Sequence, residues 1–72
     1  MYKILVADDE LKIRETIKDY FSAKNFQVYI CENGIKAVKL AEKTDFDLII
    51  LDVMMPIMDG LSACKEIREK RN

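Results

Sequence analysis

Asp47-Leu48-Ile49-Ile50-Leu51-Asp52-Val53-Met54-Met55-Pro56-Ile57-Met58-Asp59-Gly60 is the stretch that decides the fold class of this chain. Leu48 to Leu51 is a continuous apolar run between carboxylates, the pattern of a strand covered on both faces. The run breaks at Asp52, and the residues to Asp59 read as a loop. Within it Pro56 restricts Met55 to extended geometry, unless it is an ordinary turn proline. A helix then begins at Gly60, with Asp59 as its N-cap and Leu61, Cys64 and Ile67 expected on its buried face. Strand, loop and helix make one unit.

The same unit occurs twice before it. Tyr2 to Ala7 is a β-rich apolar run, followed from about Glu10 to Lys24 by Ile13, Ile17, Tyr20 and Phe21 at helical spacing. Phe26 to Cys31 alternates, with Phe26, Val28 and Ile30 on one face and Gln27, Tyr29 and Cys31 on the other, which marks a half-exposed strand. Asn33-Gly34 is a turn signal that can also open a helix. From Ile35 to about Lys43, the residues Ile35, Val38 and Ala41 share one stripe. Three consecutive strand-helix units imply an α/β layer with a parallel sheet and right-handed crossovers.

Composition narrows the function classes. Seventy-two residues allow one small domain, which buries only about 60% of the surface its unfolded chain exposes. Twelve basic against thirteen acidic residues leave a net charge of -1. That is no electrostatic footprint for nucleic acid or an anionic membrane. The opening apolar run is too short for a signal-peptide core or a membrane span, so a cytoplasmic chain is expected. Cys31 and Cys64 lack metal-site or redox spacing and read as reduced thiols. The absence of histidine excludes imidazole catalysis and zinc-type sites. With only two glycines, neither a dinucleotide fingerprint nor a P-loop can be written.

One pattern does not suit a complete sheet. The first and third strands both read as interior, yet a three-stranded sheet has one interior position. The third strand is therefore expected either to pair with a strand outside this chain or to stand as an apolar edge prone to self-association.

The first and third strands also both end in acids, Asp8-Asp9 and Asp52. Parallel strands place these ends on one rim, where open α/β sheets bind ligands. Two carboxylates ~4 Å apart repel by roughly 1 kcal/mol in water and about 4 at an effective dielectric of 20, so such a cluster favours a cation. Oxygen ligands without His or Cys suit a hard ion, magnesium before calcium. Taken singly, Asp8 or Asp9 could cap the first helix and Asp52 could begin a turn. Three acids at corresponding strand ends favour a site.

Val6-Ala7-Asp8-Asp9-Glu10 followed by Leu51-Asp52-Val53-Met54-Met55-Pro56-Ile57-Met58-Asp59-Gly60 resembles the receiver domain of two-component response regulators. The resemblance covers residues 1–72 as the N-terminal part of such a domain, the first three of five βα units. It implies a partial flavodoxin-like (βα)3 fold with strand order 2-1-3, truncated before strands 4 and 5. It further implies that Asp52 accepts a phosphoryl group from a histidine kinase, with Mg2+ as cofactor. Asp9 and Asp52 resemble direct ligands, Asp8 acts beside them through water, and the backbone carbonyl of Met54 supplies another ligand. Pro56 and Gly60 shape the loop, although Gly60 could equally be only the first helical residue.

The family's Ser or Thr on strand 4, and its Lys and aromatic switch residue on strand 5, have no counterpart in these 72 residues. The resemblance therefore implies a phosphoacceptor module rather than a conventional enzyme, with phosphotransfer and autodephosphorylation impaired. The alternative is a phosphorylation-incompetent fragment whose sheet is completed by another chain, including a homodimer through the third strand or exposed helix faces. A magnesium-dependent phosphatase fits poorly, since such enzymes resemble Asp-x-Asp after the first strand where this chain has Asp8-Asp9-Glu10.

Overall fold

The computed structural model describes residues 1–70. It runs β1 (Lys3–Ala7), α1 (Leu11–Ser22), β2 (Gln27–Cys31), α2 (Gly34–Lys43), β3 (Leu48–Leu51) and α3 (Gly60–Lys70). The three strands form one parallel sheet of order β2-β1-β3. From β1 the chain crosses to one side to form β2, then returns over β1 to form β3. Right-handed crossovers in opposite directions place α1 on one face and α2 and α3 on the other.

β1 is central and inaccessible. Leu5 and Val6 are 0% exposed, and Ile4 and Ala7 are buried with them. Full burial of a side chain of this size stabilises by about 1.5–3 kcal/mol relative to exposure. Leu5 and Ala7 face α2 in a cluster with Cys31, Ala37 and Met55, joined by half-buried Tyr29, Leu40, Ile49 and Leu51. A second cluster, Val38, Ala41, Ala63 and Ile67, joins α2 to α3. The half-exposed alternation expected for β2 is not observed: burial rises from exposed Gln27 to buried Cys31, and Tyr29, on the same face, packs edge-on against Phe46 with ring centroids 5.2 Å apart.

The helices begin and end for local reasons. Asn33 caps α2: its Oδ1 accepts from the Lys36 N–H at 2.9 Å. Asp59 caps α3 in the same way, accepting from Ser62 N–H at 2.7 Å. The Ser62 N–H beside it holds the Asp59 carboxyl below the usual carboxylate range. Asn25, in the left-handed region at φ 68°, ends the α1 segment, as Asn does where Gly is absent. At the far rim Lys3 and Asp47 are locked reciprocally: Asp47 N–H donates to the Lys3 carbonyl at 2.8 Å, and Lys3 N–H donates to Asp47 Oδ2 at 2.8 Å.

Three further expectations need correction. Leu61 is not on the buried face of α3 but 70% exposed; Ala63 and Ile67 are buried and Cys64 is half-buried. In α1, Ile17 and Phe21 are half-buried while Ile13 and Tyr20 are exposed, and no α1 residue is fully buried. Ile35 of α2 is exposed, its stripe continuing instead through Ala37, Val38 and Ala41. The apolar periodicity is real, but a sheet only three strands wide does not extend under the outer turns of these helices. The same limit leaves β3 as an edge strand with Leu48 48% exposed.

Two predictions follow from the helix starts. Replacing Asn33 by Ala removes the cap and should cost ~1 kcal/mol, read as a midpoint lowered by roughly 4–8 °C in thermal unfolding. At Gly60 a Cβ would fall inside contact distance of the Asp52 carbonyl oxygen and 2.8 Å from its carbon. Gly60→Ala should therefore destabilise by about 1–3 kcal/mol in a denaturant titration, as overpacking does.

Candidate functional site

The register of the sheet builds the site. Ala7 of β1 lies between Cys31 of β2 and Leu51 of β3. The ladder runs one step further on each side: Asp8 N–H donates to the Cys31 carbonyl at 3.1 Å, and Asp52 N–H donates to the Ala7 carbonyl at 2.9 Å. Asp8 and Asp52 thus leave the sheet at one level, at the rim where the crossovers diverge. One oxygen each of Asp8, Asp9 and Asp52 lies within 4.8 Å of the others. Asp8 and Asp52 are half-buried and Asp9 is exposed.

The turn role expected for Asp52 is present, whereas neither Asp8 nor Asp9 caps α1, whose N-cap is Glu10 without a side-chain bond. Asp8 Oδ1 accepts from Glu10 N–H at 2.9 Å, and Asp52 Oδ1 accepts from Met54 N–H at 3.2 Å. Both are Asx turns, in which a short carboxylate replaces a backbone acceptor. A carboxylate has about four lone-pair directions, so one local bond leaves capacity for a ligand. The turn and the cluster coexist: each turn holds its carboxylate at the rim.

The donors fit a hard divalent cation. They are oxygens only and number three. Two oxygens on opposite sides of one Mg2+ stand about 4.2 Å apart, from metal-oxygen distances near 2.1 Å. A cluster spread over as much as 4.8 Å suits an ion that keeps some of its waters, with one carboxylate reaching it through water.

Beside the acids a cleft of ≈ 670 Å³ is lined by Asp9, Val53, Met54, Met55, Pro56, Asp59 and Leu61. The loop that forms it is held by backbone contacts. Gly60 N–H donates to the Val53 carbonyl at 3.1 Å, and Gly34 N–H donates to the Met58 carbonyl at 3.0 Å. Both glycines are places of close approach. A Cβ at Gly34 would stand 2.9 Å from the Met58 carbonyl carbon and closer still to its oxygen. Gly60 is thus both the first residue of α3 and the surface on which the Asp52 carbonyl rests.

The sequence reading missed three features of this site. Met55 turns inward and joins the core with Leu5, Ala7 and Cys31, anchoring the loop. Ile57 sits at φ 70° in a turn where Met58 N–H donates to the Pro56 carbonyl at 2.7 Å. A β-branched residue there is strained, and nothing in its identity signals it. The third is Arg14, whose Nη1 donates to the Asp8 carbonyl at 2.9 Å from half-buried surroundings. Its position in the second helical turn after an acid pair was the available signal, since long helical side chains lean toward the N-terminus.

Near the end of β2, burial pushes the Cys31 thiol up, while the Lys36 ammonium, 2.5 Å from Glu32, holds that carboxyl down. Cys31 and Cys64 are both free thiols. No helix among the described residues is long and apolar enough to cross a membrane.

Comparison with known proteins agrees with this geometry. Residues 4–72 match the response regulator receiver domain family. The transcriptional regulatory protein ResD of Bacillus subtilis is 44% identical over 69 residues, which are 96% of this chain and 29% of ResD. The chain therefore spans less than a third of that relative. The response regulator TrrA of Thermotoga maritima, solved with Mg2+-BeF, superposes with a TM-score of 0.93 at 41% identity, over 99% of this chain and 62% of that one. TrrA solved in complex with the histidine kinase ThkA gives a TM-score of 0.90 at 41% identity, over 97% and 60% of the two chains. The sequence match and the β2-β1-β3 order agree, and the chain belongs to the response regulator receiver domain family, presenting a partial flavodoxin-like fold.

Proposed function

We propose that residues 1–72 are the N-terminal part of one receiver domain and that Asp52 accepts a phosphoryl group from the phosphohistidine of a histidine kinase, with Mg2+. The observation that carries this reading is the convergence of Asp8, Asp9 and Asp52 within 4.8 Å. In this reading Asp9 and Asp52 ligate the ion directly, Asp8 reaches it through water, and the Met54 carbonyl completes the protein's share. TrrA was solved with Mg2+-BeF and with a histidine kinase, which supports both the ion and the partner class. A cytoplasmic setting goes with the same reading.

The chemistry asks little of the protein beyond placement. A carboxylate oxygen of Asp52 attacks phosphorus, the P–N bond of the phosphohistidine breaks, and the released imidazole nitrogen takes a proton from water. Asp8, Asp9 and Asp52 would hold Mg2+, which would supply neutralisation of the charge on the phosphoryl oxygens. Asp52 is half-buried beside the cleft residues Val53 and Met54, and its carbonyl is braced by Gly60. The Asx turn to Met54 N–H restricts the carboxylate's rotation. Asp9 lines the cleft across which the donor would approach.

Incubation with Mg2+ and a small acyl-phosphate donor, followed by intact mass, tests the proposal. The expected result is a gain of one phosphoryl group, lost in Asp52→Asn and on addition of EDTA. An unchanged mass from a chain with a folded circular-dichroism spectrum would sink it.

A second reading is favoured by the free edge of β3, where Leu48 is 48% exposed. In it the sheet is completed by another chain, a second copy included, and the acids carry no phosphotransfer. Light scattering across a concentration series separates it: a constant monomer mass removes the homodimer.

A further inference from the structure

We infer that Arg14 is the positioning residue of the acid cluster, acting through the backbone carbonyl of Asp8 to aim the carboxylate of Asp9. This deepens the magnesium reading above and rests on it. Asp8 is tied at three points: its N–H to the Cys31 carbonyl, its Oδ1 to Glu10 N–H, and its carbonyl to Arg14 Nη1 at 2.9 Å. The first two continue the sheet and close the turn. The third does something different.

The Asp8 carbonyl and the Asp9 N–H belong to one planar peptide unit. Holding the carbonyl sets the rotation of that plane, and with it the direction in which the Asp9 Cα carries its side chain. Asp9 is exposed, lines the cleft, and sits outside the last β1 ladder bond. Its direction therefore depends on the peptide plane that precedes it. The contact bridges six residues, from the second turn of α1 back to the end of β1, and comes from a helix with no fully buried residue. The half-burial of Arg14 in that helix matches a side chain laid against the rim rather than extended into solvent.

The guanidinium has a second effect of opposite sign. A fixed cation near a dication site repels the ion, so charge removal alone tightens binding. Loss of orientation weakens it, and supporting contacts of this kind are worth about 10–100-fold in metal affinity. The sign of the change on removing Arg14 decides between the two.

The test is a calorimetric Mg2+ titration of the whole chain and of Arg14→Met, Arg14→Lys and Asp9→Asn, with far-UV circular dichroism on each. Expected are saturable binding by the parent, its loss in Asp9→Asn, and about tenfold weaker binding by a folded Arg14→Met. Arg14→Lys, which keeps a donor for the carbonyl, should recover most of the affinity. Should Arg14→Met fail to fold, Arg14→Leu takes its place with the same expectations. Binding by the parent with equal or tighter binding by folded Arg14→Met overturns the positioning role alone. No saturable binding by the parent overturns the magnesium reading and this inference with it.

Discussion

β1 is hydrogen-bonded on both edges and covered on both faces, and the site inherits its geometry from that strand. Its parallel register sets Ala7 level with Cys31 and Leu51, and one further ladder bond on each side places Asp8 and Asp52 together at the rim. The apolar burial of Leu5 and Val6 stabilises an arrangement that brings like charges close. Core packing thus offsets a repulsion that two exposed carboxylates would otherwise relieve by moving apart. A shift of β1 by one residue would turn its side chains to the opposite faces and separate the acids.

The loop after β3 is the second structural commitment. It contains Pro56 and an Ile57 in the left-handed region, and strain of that kind costs of order 1–3 kcal/mol unless its surroundings over-determine it. Here they do. Met55 is set into the core on one side of the strained turn. On the other, the carbonyls of Val53 and Met58 receive N–H groups from Gly60 and Gly34, at the first turns of α3 and α2. A Cβ at Gly34 would strike the Met58 carbonyl and one at Gly60 the Asp52 carbonyl. The loop that carries Asp52 is thus anchored on both sides, as a site whose chemistry depends on placement requires.

The edges of the sheet show the opposite condition. β3 has an apolar sequence and an unpaired edge, and beside it Ile49, Leu51, Cys64 and Ile67 line a shallow groove. Exposed apolar edges are templates for further strand pairing. The solved receivers it matches extend well beyond it, this chain covering 62% of TrrA. Leu48 is exposed on that edge strand, and Leu61 and Ile13 are exposed because helix stripes outside the three-strand width have nothing to pack on.

The sequence by itself determined the element order, the parallel sheet, the cap at Asp59, the helix opening at Asn33-Gly34, and the identity of the three rim acids. These depend on local quantities: hydrophobic period, short polar caps, and the residue that ends each apolar run. Only the tertiary structure decided that one oxygen of each acid lies within 4.8 Å of the others, since that distance depends on register between strands far apart in the chain. It also decided the inward turn of Met55, the strain at Ile57, the exposure of Leu61 and the reach of Arg14 to the Asp8 carbonyl. A side chain's burial or partner depends on what lies across from it in space. Periodicity assigns a residue to a face of its own helix or loop, and the width of the sheet decides whether anything covers that face.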